Sequence, residues 1–156
     1  MVEDKRYWDS DVFLGYFNEE PDKYSACEGV LEAANDGKIL IVISALTLAE
    51  VLYAKKQPKL PIDKRAEIES FFKSPFISVQ NVTRKIAEKA RDIVWDNNIR
   101  PKDAIHVATA LTYKIPVLNS FDQQLLKYNK ALGNPRLRIE KPHEPGQHHL
   151  ALSDTS

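Results

Sequence analysis

Cysteine is nearly absent. Cys27 stands alone among 156 residues, which excludes an intramolecular disulfide and a cysteine-based zinc cage and fits a reducing, cytoplasmic setting. Net charge is missing as well: 22 Lys and Arg balance 22 Asp and Glu. No global field therefore draws the chain to nucleic acid or acidic lipid, and any site for a polyanion has to be local. Nor is there a long hydrophobic run. The most apolar stretch, 39–54, falls short of the roughly 20 residues that a membrane span needs and carries Ser44, Thr47 and Glu50. No membrane segment is expected. The start, Met1 to Arg6, is charged and leads into no apolar core of the secretory kind.

What is present suits one domain with a single core. The length, the 43% apolar share and the 28% charged share are ordinary for a folded globular chain. Tyr7-Trp8 and Val12-Phe13-Leu14 flank Asp9 and Asp11, a pattern that reads as a short strand running into a turn and a helix. Pro21-Asp22 opens a helix that Asp36-Gly37 closes, and Ile39 to Ile43 is a continuous β-branched run of the kind that forms a strand buried on both faces. Ala45 to Lys56 is helical by composition, Ile62 to Lys73 by its amphipathic spacing. Further helices are expected from Thr83, as N-cap, to Trp95; from Pro101 to Tyr113; and from Asp122 to Leu132. Strand candidates are Phe76 to Val79, Pro116 to Asn119 and Arg136 to Ile139.

Strands alternating with helices imply a mostly parallel sheet covered on both faces. The expected fold is a three-layer α/β/α sandwich with four to five strands over residues 1–140. The remainder, 141–156, holds two prolines, His143, and the adjacent pair His148-His149, without sustained apolar periodicity, and is expected to be a flexible tail.

Four acids stand out against this frame. In a parallel sheet, the end of each strand and the start of the next helix share one edge, where ligands bind. Asp9 and Asp122 directly follow strands, Glu50 lies in the helix after Ile39 to Ile43, and Asp103 lies in the first turn of the helix that feeds strand Pro116 to Asn119. Glu50 is ringed by Leu46, Leu48, Ala49, Val51, Leu52 and Tyr53, with Thr47 on its own face at i−3. The helix from Asp103 repeats that pattern, with Asp103, His106 and Thr109 as a narrow polar stripe. Both helices are expected to be buried with one polar seam.

A buried ionised carboxylate without a partner costs several kcal/mol, and several together are harder still to ionise. Something positive belongs among them. Magnesium or manganese suits best, since hard cations take oxygen ligands, with arginine or lysine as the alternative. Each acid also has a plainer explanation: Asp103 answers a helix dipole, Asp122 is an N-cap in competition with Ser120, and Asp9 and Asp11 are turn residues. Glu50 is the hardest to explain without a cation. His106 reads as a core histidine, or one standing behind a metal ligand, bonded to backbone, rather than as a metal ligand or base itself.

The segments Tyr7-Trp8-Asp9-Ser10-Asp11-Val12-Phe13-Leu14, Ser44-Ala45-Leu46-Thr47-Leu48-Ala49-Glu50-Val51, Pro101 to Ala110 and Val117-Leu118-Asn119-Ser120-Phe121-Asp122 resemble those of the PIN-domain ribonucleases, particularly the VapC-like toxin type. The resemblance covers about 6–139, and DAIHVATA is its most characteristic piece. It implies that Asp9, Glu50, Asp103 and Asp122 are the catalytic acids and the ligands of Mg²⁺ or Mn²⁺, that RNA phosphodiesters are hydrolysed, and that the chain forms a homodimer and pairs with a small antitoxin. Asp11 stands where asparagine or serine is more usual, and Ser120 where threonine is. Cations near the acids would have to hold the RNA backbone; Lys55, Lys56, Arg84, Lys85, Arg100, Lys102 and Lys127 are the candidates. Two alternatives stay open. One is a PIN-like module that binds RNA or protein without catalysis. The other is a haloacid-dehalogenase-like phosphatase, because Asp9-Ser10-Asp11-Val12 matches a nucleophilic aspartate with an acid two residues on, although that reading leaves Glu50 unexplained.

Overall fold

Strand β1 (Asp4–Trp8) lies at the centre of a five-stranded sheet in the computed structural model, which describes residues 4–53 and 58–144. Helices α1 (Ser10–Phe17) and α2 (Pro21–Asn35) follow, then β2 (Ile39–Ser44) and α3 (Ala45–Glu50). A 3₁₀ turn, Ile62–Lys64, leads into α4 (Arg65–Phe72) and β3 (Ile77–Gln80). Helices α5 (Arg84–Asp96) and α6 (Pro101–Thr112) precede β4 (Val117–Asn119), α7 (Gln123–Leu126) and β5 (Arg138–Glu140). The strand order is β3-β2-β1-β4-β5 and every pairing is parallel, so all strand ends of one polarity meet at a single edge.

Successive side chains of a strand point to opposite faces, and here that alternation sorts the core into two. Trp8, Ile39, Ile41 and Ile43 face the layer of α1, α2 and α4, where Phe13, Phe17, Cys27, Val30 and Ile68 pack. Tyr7, Val42 and Leu118 face α5 and α6, against Ile86, Ala90, Val107 and Ala108. The three-layer sandwich that the sequence predicts is what the chain forms, and the expected mostly parallel sheet of four to five strands has five, all parallel. Several local signals also act as read: Thr83 caps α5 by accepting from the Ile86 amide at 3.2 Å, Pro101 opens α6, and Gly37 takes φ +80° after α2.

Three expectations need correction. The helix predicted from Ala45 to Lys56 stops at Glu50, because the chain turns away there to bring Tyr53 against Lys59 in an isolated antiparallel bridge; 54–57, with Lys55 and Lys56, lie outside the described residues. That short helix buries only Thr47 along its length, while Leu48, Leu52 and Tyr53 are 44%, 41% and 61% exposed. Apolar neighbours around Glu50 thus did not mean burial on every side. Third, the helix from Asp122 to Leu132 is cut to the four residues of α7. Lys130 adopts φ +61° and its amide bonds to the Leu137 carbonyl at 2.9 Å, folding the segment back as turns toward β5. Most of the expected tail, 145–156 with His148 and His149, lies outside the described residues; just before it, Pro142 is buried and the His143 carbonyl accepts from the Arg6 guanidinium.

Candidate active site at the carboxyl edge of the sheet

The chain builds outward from β1 to β2 and β3 on one side, then crosses to β4 and β5 on the other. The order of strands therefore reverses beside β1, and it is in the crevice at the carboxyl ends of such a point that α/β sheets bind ligands. Asp9 sits at that point. Its amide bonds to the Asn119 carbonyl at the end of β4, and its carboxylate caps α1 through the Val12 amide at a long 3.4 Å. Only 5% of Asp9 is exposed. Burial and then the neighbouring Asp11 push its carboxyl well above the ordinary range, against a smaller opposing effect of the Ser120 hydroxyl, and Asp103 adds the least.

Asp11, beside Asp9, also joins two elements. Its carboxylate accepts from the Phe121 amide at 3.2 Å and faces the Ser120 hydroxyl at 3.5 Å, tying the start of α1 to the loop after β4. Ser120 in turn accepts from the Asp122 amide at 3.0 Å. Both residues at which the chain departs from the PIN pattern thus belong to one polar tie beneath Asp9.

Asp103 and Asp122 share a guanidinium. Arg100, immediately before α6, reaches Asp103 Oδ2 through Nε at 3.1 Å and Asp122 Oδ2 through Nη2 at 3.0 Å. Arg100 is thereby placed among the acids, a role the sequence reading missed by grouping it with the RNA-holding cations. The one available signal was its position three residues before Asp103, one helical turn away. Even with this partner, burial keeps the Asp103 carboxyl above its usual range, with Asp122 adding repulsion. Asp122 is also the N-cap of α7, accepting from the Gln124 amide at 2.9 Å, so its plainer explanation holds as well.

Glu50 is served differently. At the end of α3 its Oε1 accepts from the Ser10 hydroxyl at 2.6 Å and lies 2.8 Å from His106 Nε2. Burial alone would raise this carboxyl, but the hydrogen bonds from His106 and Ser10, assisted by Lys102, hold it below the usual range. His106 is buried, and its Nδ1 lies 2.5 Å from the Tyr7 hydroxyl; its partners are side chains, where the sequence suggested backbone. Ser10 and Tyr7 flank Asp9 in sequence, yet nothing in their spacing announced that they reach α3 and α6. Thr109, on the same stripe of α6, bonds to its own helix at the Ile105 carbonyl and takes no part.

All four predicted acids therefore stand at the same edge, close enough for Asp9 to feel Asp103 and Asp103 to feel Asp122. They do not form a closed cage: among the described residues no three His, Cys, Asp or Glu side chains converge on one point as a ready cation site. The donor chemistry nonetheless fits a hard divalent ion. It consists of carboxylate oxygens, and two of the carboxyls, Asp9 and Asp103, carry a burial cost that the protein's own groups leave uncompensated. Among the cations expected to hold RNA, Arg84 pairs loosely with Glu88 at 3.7 Å and Lys127 with Gln124 at 3.4 Å, while Lys102 stands exposed near Glu50.

Comparisons with known proteins agree with this architecture. The family model described as "PIN domain" matches residues 6–131. A toxin–antitoxin complex from Klebsiella pneumoniae contains a chain that superposes with TM-score 0.60 at 18% identity, over 89% of this chain and 98% of that one. A VapBC2 structure from Rickettsia felis, bound to a DNA fragment from the promoter, gives TM-score 0.62 at 16% identity, over 88% and 98%. At such identities the likeness is one of fold. The comparison with curated proteins gives no match.

Proposed function

This chain belongs to the PIN-domain family, and from that premise we propose that it is a Mg²⁺- or Mn²⁺-dependent ribonuclease, the toxin of a toxin–antitoxin pair, with residues 1–140 as its catalytic domain. One observation carries the reading: at the point where the strand order reverses, Asp9 and Asp103 are both driven above the ordinary carboxylate range, chiefly by burial and then by neighbouring acids, Asp11 beside Asp9 and Asp122 beside Asp103. Buried like charges held together at a crevice are an arrangement a divalent cation relieves.

Asp9, Asp103, Asp122 and Glu50 are the residues that would hold the ion. When bound, it supplies compensation for their negative charge and for charge developing on a phosphodiester, and it lowers the pKa of water. The remaining work falls to the chain. Asp9, fixed on the buried end of β1, orients groups in the crevice through a carboxylate that has few other partners. Arg100, 64% exposed, leaves Asp103 and Asp122 at little cost, since exposed ion pairs contribute ~0–1 kcal/mol. Freed, it joins Lys102 as a cation for the RNA backbone.

A toxin is supported by the folds it resembles, both found in toxin–antitoxin complexes, and by the exposed Leu48, Leu52 and Tyr53 on and after the helix that carries Glu50, apolar surface suited to a covering antitoxin or a second copy. No described helix is long and apolar enough to cross a membrane, and the lone Cys27 suits a cytoplasmic protein. One observation favours a second reading, a PIN-like module that binds without cleaving: Arg100 already bridges two of the acids. The dehalogenase-like alternative falls with the family assignment. Incubation of the purified chain with a structured RNA separates the remaining two. Cleavage that needs Mg²⁺, stops with EDTA and disappears in Asp9→Asn and Asp103→Asn with folding intact upholds the nuclease; no cleavage with tight RNA retention selects the binding module.

A further inference from the structure

The two oxygens of Glu50 are used unequally. Ser10 Oγ at 2.6 Å and His106 Nε2 at 2.8 Å both converge on Oε1, and among the described residues no hydrogen bond reaches Oε2. His106 is braced from behind by the Tyr7 hydroxyl, 2.5 Å from Nδ1, and both rings are buried, at 2% and 0% exposure. An ionised carboxylate only accepts, so the proton between the imidazole and Glu50 belongs to Nε2. A neutral imidazole protonated there has a bare Nδ1, which takes the Tyr7 O–H. The hydrogens then run one way, from Tyr7 to His106 to Glu50.

We propose that Tyr7 and His106 are positioning residues that lock Glu50 with Oε1 turned to the protein and Oε2 turned to the divalent ion, an inference that rests on the nuclease reading above. Glu50 ends a helix of six residues beside a turn, where a glutamate left alone would sample many rotamers and lose that freedom when an ion binds. A histidine fixed from its far side by a buried tyrosine removes the loss in advance. Outer partners of this kind orient the groups that touch a metal without touching it themselves. Ser10, from the first turn of α1, ties the same oxygen to the element that follows Asp9, so the two sides of the crevice are set in register.

The test uses the whole chain and two readouts. Nitrogen-15 spectra of the metal-free protein should show His106 as the Nε2–H tautomer, with the Nε2–H resonance moving in Glu50→Ala and the fixed tautomer lost in Tyr7→Phe. Titration with Mn²⁺ should then show binding weakened ~10-fold in His106→Ala and in Tyr7→Phe. His106→Gln, whose amide can donate to Oε1, should recover most of it, with thermal melts establishing that each variant folds. An Nδ1–H tautomer in the wild type overturns the proposal, as does undiminished Mn²⁺ affinity in folded His106→Ala. If that variant does not fold, undiminished affinity in Tyr7→Phe overturns it equally. A wild type that binds no Mn²⁺ defeats the nuclease reading and the ion-facing half of this one. The hydrogen-bonded half then stands or falls on whether the resonance moves in Glu50→Ala.

Discussion

Glu50 and Asp9 stand at one edge of the same sheet and differ in what the protein gives each carboxylate. Glu50 receives two short hydrogen bonds and is held below the usual range. Asp9, more deeply buried, receives one long backbone bond and a smaller counteracting effect of Ser120, faces Asp11 and Asp103, and is held well above it. The lesson is about where desolvation is compensated. One side of the crevice is satisfied by fixed donors of the chain, and the other keeps a deficit that an external positive charge can fill. A protein selected only for stability would not leave that deficit, because burying like charges without partners is costly.

The largest effect expected from this contrast is on turnover. Asp9→Asn or Asp103→Asn should lower Mg²⁺-dependent RNA cleavage by on the order of 100-fold or more, since even outer partners of metal ligands take ~10–100-fold when lost; rates on a structured RNA, with circular dichroism to verify folding, measure this. Equal rates in wild type and both variants would place the chemistry elsewhere.

Next comes stability against pH, where the two carboxyls pull in opposite directions. Asp9 has a raised folded pKa, so its contribution is full below the unfolded value and is lost as pH rises through the folded one. Glu50 has a lowered folded pKa, so its contribution is present above the unfolded value and is lost as pH falls through the folded one. Metal-free protein should therefore melt highest at mildly acid pH and lose stability toward neutrality. Added Mn²⁺ should flatten that slope, and Asp9→Asn should remove most of it. Calorimetry in EDTA and in Mn²⁺ reads the effect, at roughly 2–4 °C for each kcal/mol in a chain of this size. A metal-free protein whose melting temperature rises steadily from pH 5 to pH 8 contradicts the assignment.

A smaller change is expected from Ser10→Ala, which removes one of two donors to Glu50 and leaves His106 in place. We expect a loss of about 1 kcal/mol in urea denaturation, near the usual net value of a hydrogen bond, with His106 still bonded to Glu50. Smallest is Arg100→Gln. Taking away the cation that competes for Asp103 and Asp122 should tighten Mn²⁺ binding a few-fold in calorimetric titration while RNA binding weakens. Weaker Mn²⁺ binding in that variant would show that Arg100 organises the acids instead of competing for them.

Sequence alone was enough for the layers and the edge. The β-branched run of β2, Thr83 and Pro101 at helix starts, and Gly37 after α2 are local signals whose physics lies within a few residues, and they act in the folded chain as they read. With strands and helices alternating, parallel topology follows, and the four acids come to one edge because strand ends and helix starts must share it. Where the helix of Glu50 would stop, that Leu48 and Leu52 would face solvent, and which partner each acid would take depended on contacts between distant segments: Leu52 with Leu60 through backbone, Glu50 with His106 across 56 residues, Asp122 with Arg100 across 22. Periodicity reports what surrounds a residue along its own helix, whereas a carboxylate's charge state is set by what approaches it through space. Tertiary packing alone could decide that Glu50 would be satisfied and Asp9 left in need.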